Sequence, residues 1–261
     1  MSSSIWTRCE GRSRLRRLRG EAWRVVEDQY LFSTRKLVAS DAEQRLLEEL
    51  LEASKPAAAP RGLHYLLLTP FRYPPLLHGS RFRSRADAGV WYGSREPRTA
   101  FAEAAYYRLL FLEGTAAAID SLELDLSAFR AAFESARGVD LTRPPFAAHR
   151  TAISSPTSYA ESQPLAREMR GAGVEACLYD SAREPDGVNM ALFTPRAFAT
   201  RKPSPPESWR CVATRGFVEV TKKDVFRRVS HRFERSQFEV DGRLPAPGLS
   251  APISARPGAR R

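Results

Sequence analysis

Long apolar runs are missing from this sequence. Nowhere do about 18 apolar residues follow one another, so a membrane-spanning helix is excluded. Cysteine is scarce. The three present, Cys9, Cys177 and Cys211, are far apart, odd in number and never in a C-x-x-C pair, which argues against a disulfide framework or a zinc module. Reduced thiols in a cytosolic protein are the simple reading. The histidines, His64, His78, His149 and His231, share no metal-like spacing, so no metal centre is expected. Absent too are G-x-G-x-x-G, the Walker loop, H-E-x-x-H and G-x-S-x-G. The first twenty residues lack the apolar core of a secretory signal. A soluble, cytoplasmic, bacterial protein is the expectation.

What the chain has in excess is arginine. The net charge is +11, which favours anionic partners such as nucleotides, nucleic acid or an acidic protein without choosing among them. Arg8, Arg12, Arg14, Arg16, Arg17 and Arg19 crowd the start, and residues 243–261 are rich in Pro, Gly, Ala and Arg. Both ends read as solvated, mobile arms. No helix-turn-helix, zinc finger or RNA-reading aromatic motif accompanies them, so direct nucleic-acid binding is disfavoured. The expected organisation is a basic arm and helical extension over 1–60, a catalytic domain over 61–240 and a flexible tail over 241–261.

Residues 20–54 read as helical. A capping box at Ser40, Asp41, Ala42 and Glu43 precedes Leu46, Leu47, Leu50 and Leu51 at helical spacing. These helices are expected to pack on the domain, with dimerisation or covering of the site as alternatives. Residues 55–62 (KPAAAPRG) read as a linker. Residues 64–68 read as a buried strand, and 69–75, with their prolines, as extended or turning. A strand is expected over 89–92, a helix opened by Pro97 through Leu112, a strand over 121–126 and a helix over 127–137. A helix over 158–170 stops at Gly171 and Gly173. Strands follow over 174–179 and 189–193, with edge strands over 217–220 and 226–233. Strands and helices mix without regular βαβ spacing, which makes the fold class α+β.

Side chains able to do chemistry sit at the ends of these elements, where they can converge on one cleft. Arg72 and Tyr73 lie in the proline-rich segment. Arg81 precedes a strand, Tyr92 ends it, and Glu103 stands in the first turns of the next helix among Ala100, Phe101, Ala102, Ala104 and Ala105. Ser181 lies in a loop between two strands, followed by Arg183 and Asn189. Taken singly, each has a plain structural explanation: a salt bridge for Glu103, a solvated basic face for Arg81, turn chemistry for Ser181.

The ordered set GSRF (79–82), VWYGS (90–94), TAFAE (99–103) and SAREPDGVNMALF (181–193) resembles the RES family, named for its Arg, Glu and Ser. The resemblance covers about residues 64–200. Arg83 stands where many relatives carry Asn. The resemblance implies mixed small sheets with flanking helices, similar to the ADP-ribosyltransferase toxin fold. It also implies a toxin of a toxin–antitoxin pair that depletes NAD⁺, with inorganic phosphate or water as acceptor. NAD⁺ is then a substrate, phosphate a candidate co-substrate, and no cofactor is needed. The implied partner is an antitoxin with a helix-turn-helix; a second copy of the chain is a further candidate.

These residue types suit that reaction. Cleaving the nicotinamide–ribose bond passes through an oxocarbenium-like state. The departing nicotinamide is neutral, so no general acid is required and one carboxylate, Glu103, suffices to stabilise the developing charge. Arg81 first, and Arg72 second, are candidates for the diphosphate, which a guanidinium fork grips through two oxygens. Tyr92 and Tyr73 are candidates for stacking or hydroxyl donation. Ser181 is expected to hydrogen-bond ribose or the nicotinamide amide, not to act as a nucleophile, having no His–Asp pair nearby. Arg183 and Asn189 are expected to organise the loop. Two alternatives remain: transfer of ADP-ribose to a macromolecule, and a non-catalytic basic nucleic-acid-binding protein.

Overall fold

The computed structural model describes residues 3–28, 43, 62–72, 79–117 and 119–247. The helical signals at 40–42 and 46–51, the 55–61 linker and Tyr73 lie outside the described residues.

Among the described residues the α+β class takes the form of one eight-stranded sheet rather than several small ones. In chain order the elements are α1 (Ile5–Arg8), β1 (Arg16–Glu27), α2 (Tyr65–Arg72), β2 (Trp91–Ser94), α3 (Pro97–Gly114), β3 (Ser121–Asp140), α4 (Arg150–Ile153), α5 (Ser162–Gly171), β4 (Ala176–Asp180), β5 (Val188–Leu192), β6 (Glu207–Thr214), β7 (Phe217–Lys222) and β8 (Ser230–Glu234). The strand order is β1-β2-β5-β4-β3-β6-β7-β8, and β1 also pairs with β3. That extra pairing joins β1, β2, β5, β4 and β3 into a closed circuit, from which β6, β7 and β8 extend as an antiparallel meander.

The long strand β3 holds the two parts together. Residues 121–128 pair with β6, residues 126–138 with β1, and residues 138–140, in parallel, with β4. Its second half corrects the helix expected over 127–137. Ala-rich composition favours helix weakly. Burial instead alternates along this stretch: Phe129, Ala131, Phe133 and Ser135 are buried, while Arg130, Glu134 and Ala136 are exposed. That is a period of two, the mark of a strand.

The opening residues are corrected as well. Residues 16–27 form β1 and pair with β3 along nearly their whole length, so 20–27 are strand where a helix was expected. Nor is the start a solvated arm: Ile5, Trp6 and Cys9 are buried with Phe146, Leu165 and Met169. Pairing and burial here depend on β3 and α5, more than a hundred residues away, so local composition misled. Residues 64–72 are the third correction. Tyr65–Arg72 is helical with Pro70 inside it, where a strand and an extended segment were expected. One helical N–H is lost, but Leu67 and Leu68 are buried in exchange. At the other end the tail is docked at its beginning: Leu244 is buried, and the Tyr106 hydroxyl donates to the Pro245 carbonyl.

Helix α3 lays Phe101, Ala105, Leu109 and Leu112 against Trp209, Val218, Val220 and Phe233 of the meander. Its opposite side faces the circuit, so the cavity described next lies between helix and sheet. Helix α5 ends as its glycines suggest, with Gly173 left-handed at φ 74° and its N–H bonded to the Arg170 carbonyl at 2.9 Å.

Candidate active site

A cavity of about 260 Å³ opens between α3, β1, β2 and the start of β5. Glu103 reaches its wall from the second turn of α3. Pro97 occupies the first turn of that helix, where a missing N–H costs nothing, so the helix starts at a defined place.

The Glu103 carboxylate is gripped on one side. Oε1 accepts from the Ser181 hydroxyl at 2.8 Å and from Asn189 Nδ2 at 2.6 Å. Asn189 is oriented by Ser94, whose hydroxyl donates to Oδ1 at 2.6 Å. Strand pairing sets this relay, because Ser94 of β2 and Asn189 of β5 are direct partners in the ladder. Oε2 has no hydrogen-bond partner among the described residues. One carboxylate oxygen is therefore held twice, and the other not at all among the described residues.

Ser181 begins the loop between β4 and β5. Its oxygen accepts from the backbone N–H of Arg183 at 3.0 Å and of Glu184 at 3.1 Å while its proton goes to Glu103. It is not among the cavity-lining residues. Without a ligand, Ser181 thus bonds the carboxylate and its own loop. The loop is itself clamped. Glu184 pairs with Arg98 of α3 at 2.7 Å, and Gln237 Nε2 donates to the Arg183 carbonyl at 2.8 Å and to Glu184 at 2.9 Å.

Arg81 and Arg183 both reach the cavity wall. Arg81 donates to the Ile153 carbonyl at 3.0 Å and lies over the Tyr159 ring. Arg183 donates to the Pro156 carbonyl at 3.2 Å and lies 3.5 Å from the centre of the Tyr106 ring. The turn carrying Arg81 is tight: Ser80 and Arg83 exchange backbone bonds of 2.7 and 3.1 Å. Gly79, at φ 70°, has no room for a side chain, since a Cβ there would meet the Arg83 carbonyl at 2.1 Å. Arg83, the departure from the pattern, thus serves the turn through its backbone.

Tyr92 lines the cavity too, but its hydroxyl is engaged, accepting from the Phe82 N–H at 3.0 Å and sharing a 2.8 Å bond with Ser80. Burial pushes its pKa up to about 12. Burial, reinforced by the Glu103 charge, also raises Tyr179, so these phenols stay protonated at neutral pH.

The structure therefore brings together Glu103, Ser181, Asn189, Arg81, Arg183 and Tyr92. It does not bring Arg72 there: that side chain ends α2 and is not among the lining residues. Sequence reasoning missed Tyr106, Tyr107, Tyr159 and Tyr179, and the pair Trp23 and Arg24 of β1. The tyrosines at 106 and 107 were findable, standing three and four residues after Glu103 and hence on its side of the helix. Trp23 and Arg24 carried no such signal, because their strand was read as helix. Among the described residues no group of His, Cys, Asp or Glu could hold a metal ion, and no helix is long and apolar enough to cross a membrane.

Fold and site together define a domain of the ADP-ribosyltransferase-like class, with one held carboxylate in an otherwise basic, tyrosine-lined cavity. The RES domain family model matches residues 55–213, more than half of the chain, and the chain belongs to that family. At family level it is a toxin-like, NAD-related enzyme, and RES domains typically work beside an antitoxin. No curated protein matches the chain. Strand β1, and Gln237, which clamps the site loop, lie outside the matched segment.

Proposed function

We propose that this protein cleaves the nicotinamide–ribose bond of NAD⁺ and passes the ADP-ribosyl group to inorganic phosphate or water, as a toxin restrained by a helix-turn-helix antitoxin. The observation that carries the reading is the Glu103 carboxylate on the cavity wall, with Oε1 held by Ser181 and Asn189 and Oε2 without a hydrogen-bond partner among the described residues. In this reaction the bond from ribose C1′ to the pyridinium nitrogen breaks and its electron pair leaves with nicotinamide. An acceptor oxygen then bonds to C1′; a water acceptor releases a proton. Glu103 stabilises the positive charge that builds at C1′ and grips a ribose hydroxyl through Oε2. Its two donors hold it in place before substrate arrives, which avoids reorganisation during the reaction. The arginines supply charge for the diphosphate, and the tyrosine rings supply flat surfaces for the heterocycles.

The test incubates purified protein with labelled NAD⁺, with and without phosphate, and identifies the products. Free nicotinamide with ADP-ribose or its 1″-phosphate is expected. Label bound covalently to a macromolecule means transfer instead, and intact NAD⁺ ends the proposal.

A further inference from the structure

Arg183 and Tyr106 form a stacked pair on the cavity wall. Both are buried, and the fold holds each half from the same stretch of chain. That stretch follows β8 and lies outside the segment the family model matches. On one side, Gln237 Nε2 donates to the Arg183 carbonyl at 2.8 Å and to the Glu184 carboxylate at 2.9 Å. On the other, the Tyr106 hydroxyl donates to the Pro245 carbonyl, and the Phe238 ring lies 6.2 Å from the Tyr106 ring. Glutamine suits position 237: its N–H groups reach a carbonyl and a carboxylate at once, where a glutamate would donate nothing and would face Glu184.

The stretch is itself anchored. Arg235 pairs with Glu113 near the end of α3 at 2.6 Å and with Glu239 at 2.7 Å. Phe238 is buried beside Phe233. Asp241 and Gly242 are both left-handed, at φ 52° and 73°, as a tight Asp-Gly turn requires. Val240 and Arg243 exchange backbone bonds of 2.9 and 3.1 Å across that turn. The chain is thereby sent back to bury Leu244 and to bring the Pro245 carbonyl to Tyr106.

We infer that Gln237 is a positioning residue: together with the Pro245 carbonyl it fixes the Arg183–Tyr106 pair in advance, so that Arg183 meets the anionic dinucleotide without first being ordered. The effect on NAD⁺ rests on the activity proposed above; the clamp on the loop does not. Ser181 keeps its own bonds to the loop and to Glu103 when Gln237 is lost. The loss therefore belongs in substrate affinity and not in the chemical step.

The variant is Gln237→Met in the full chain, which keeps the bulk of the side chain and removes both donations. The first measurement needs no ligand: amide hydrogen exchange over residues 181–187. Exchange faster by about tenfold or more, with β6 unchanged, is expected; parental exchange overturns the clamp, whatever becomes of the NAD⁺ reading. The second is steady-state cleavage of NAD⁺. A KM raised about tenfold with kcat within about twofold is expected. A fall in kcat at unchanged KM means that Gln237 acts through Glu103, and the inference fails. The third repeats the change in an Arg183→Ala background, where Gln237→Met should leave KM nearly unaltered; the same tenfold rise there overturns positioning through Arg183. If Gln237→Met melts far below the parent, Tyr106→Phe, which keeps the ring and frees it from Pro245, is carried through the two kinetic assays; an unchanged KM in that variant overturns the inference. A parent chain that leaves NAD⁺ intact removes the substrate role together with the proposed activity, and the exchange result then decides the clamp alone.

Discussion

One oxygen of Glu103 already accepts two hydrogen bonds, and in the proposed reaction the other meets the substrate. Glu103→Gln is nearly isosteric but removes the charge, and its amide nitrogen cannot accept from Asn189 and Ser181. We expect kcat for NAD⁺ cleavage to fall by about 10²–10³-fold with the far-ultraviolet dichroism unchanged; full activity in the folded variant removes Glu103 from the reaction. Ser181 acts on that carboxylate and on its own loop, so Ser181→Ala should behave differently. A hydrogen bond to a charged group is worth about 1.5–3 kcal/mol, which corresponds to a loss of roughly 10–100-fold in kcat with KM little changed. Two loop N–H groups also lose their acceptor, so the urea midpoint should fall as well. A variant that loses affinity for NAD⁺ but keeps its stability would instead place the hydroxyl on the substrate.

His231 of β8 belongs to an element outside the site whose state the pH sets. Its ring stacks on Trp209 at 5.7 Å and lies beside Phe101. Burial, helped by the nearby Arg98 charge, lowers its pKa, with Glu184 opposing. The neutral form is thus favoured in the fold. Its contribution is complete above the ordinary histidine value of about 6.5 and is lost as pH falls through the lower folded value. The melting temperature should therefore drop on acidification from pH 7 toward 5 by more than it does in His231→Gln; parallel profiles would show that this ring does not sense pH. The pairing of β1 with β3 makes a separate prediction. A Cβ on Gly138 would lie 2.4 Å from Leu18 Cγ. Gly138→Ala should cost about 1–3 kcal/mol. Combined with Leu18→Ala, it should cost much less than the sum of the two single changes. Additive costs in denaturant melts would mean that the two strands do not meet there.

Across the whole molecule, the segments flanking the family match help build the site. Strand β1 supplies part of the cavity wall, and Gln237 clamps the loop that carries Ser181. The opening turn is anchored by Trp6, buried against Phe146 with ring centres 6.0 Å apart. Trp6→Ala should cost about 3–5 kcal/mol in chemical denaturation, whereas a solvated arm would tolerate the change within about 0.5 kcal/mol. The excess of arginine, read first as a property of mobile ends, goes in part into ion pairs that tie strands together, such as Arg16 with Asp140 and Arg130 with Glu21.

Much of the candidate site was legible in the chain itself. Glu103 among alanines, the turn around Arg81 and the Ser181 loop are chemical types at local spacings, and local spacing is what a linear pattern records. The helix opened by Pro97 and the strands at 174–179 and 189–193 were legible for the same reason. Only the tertiary structure decided that 20–27 and 127–137 are strands and not helices, because each is held by the other and a partner a hundred residues away leaves no local trace. It also decided which atoms meet. It joined Ser181 to Glu103 and placed Arg24 on the cavity wall, because hydrogen-bond direction and burial are set by neighbours in space.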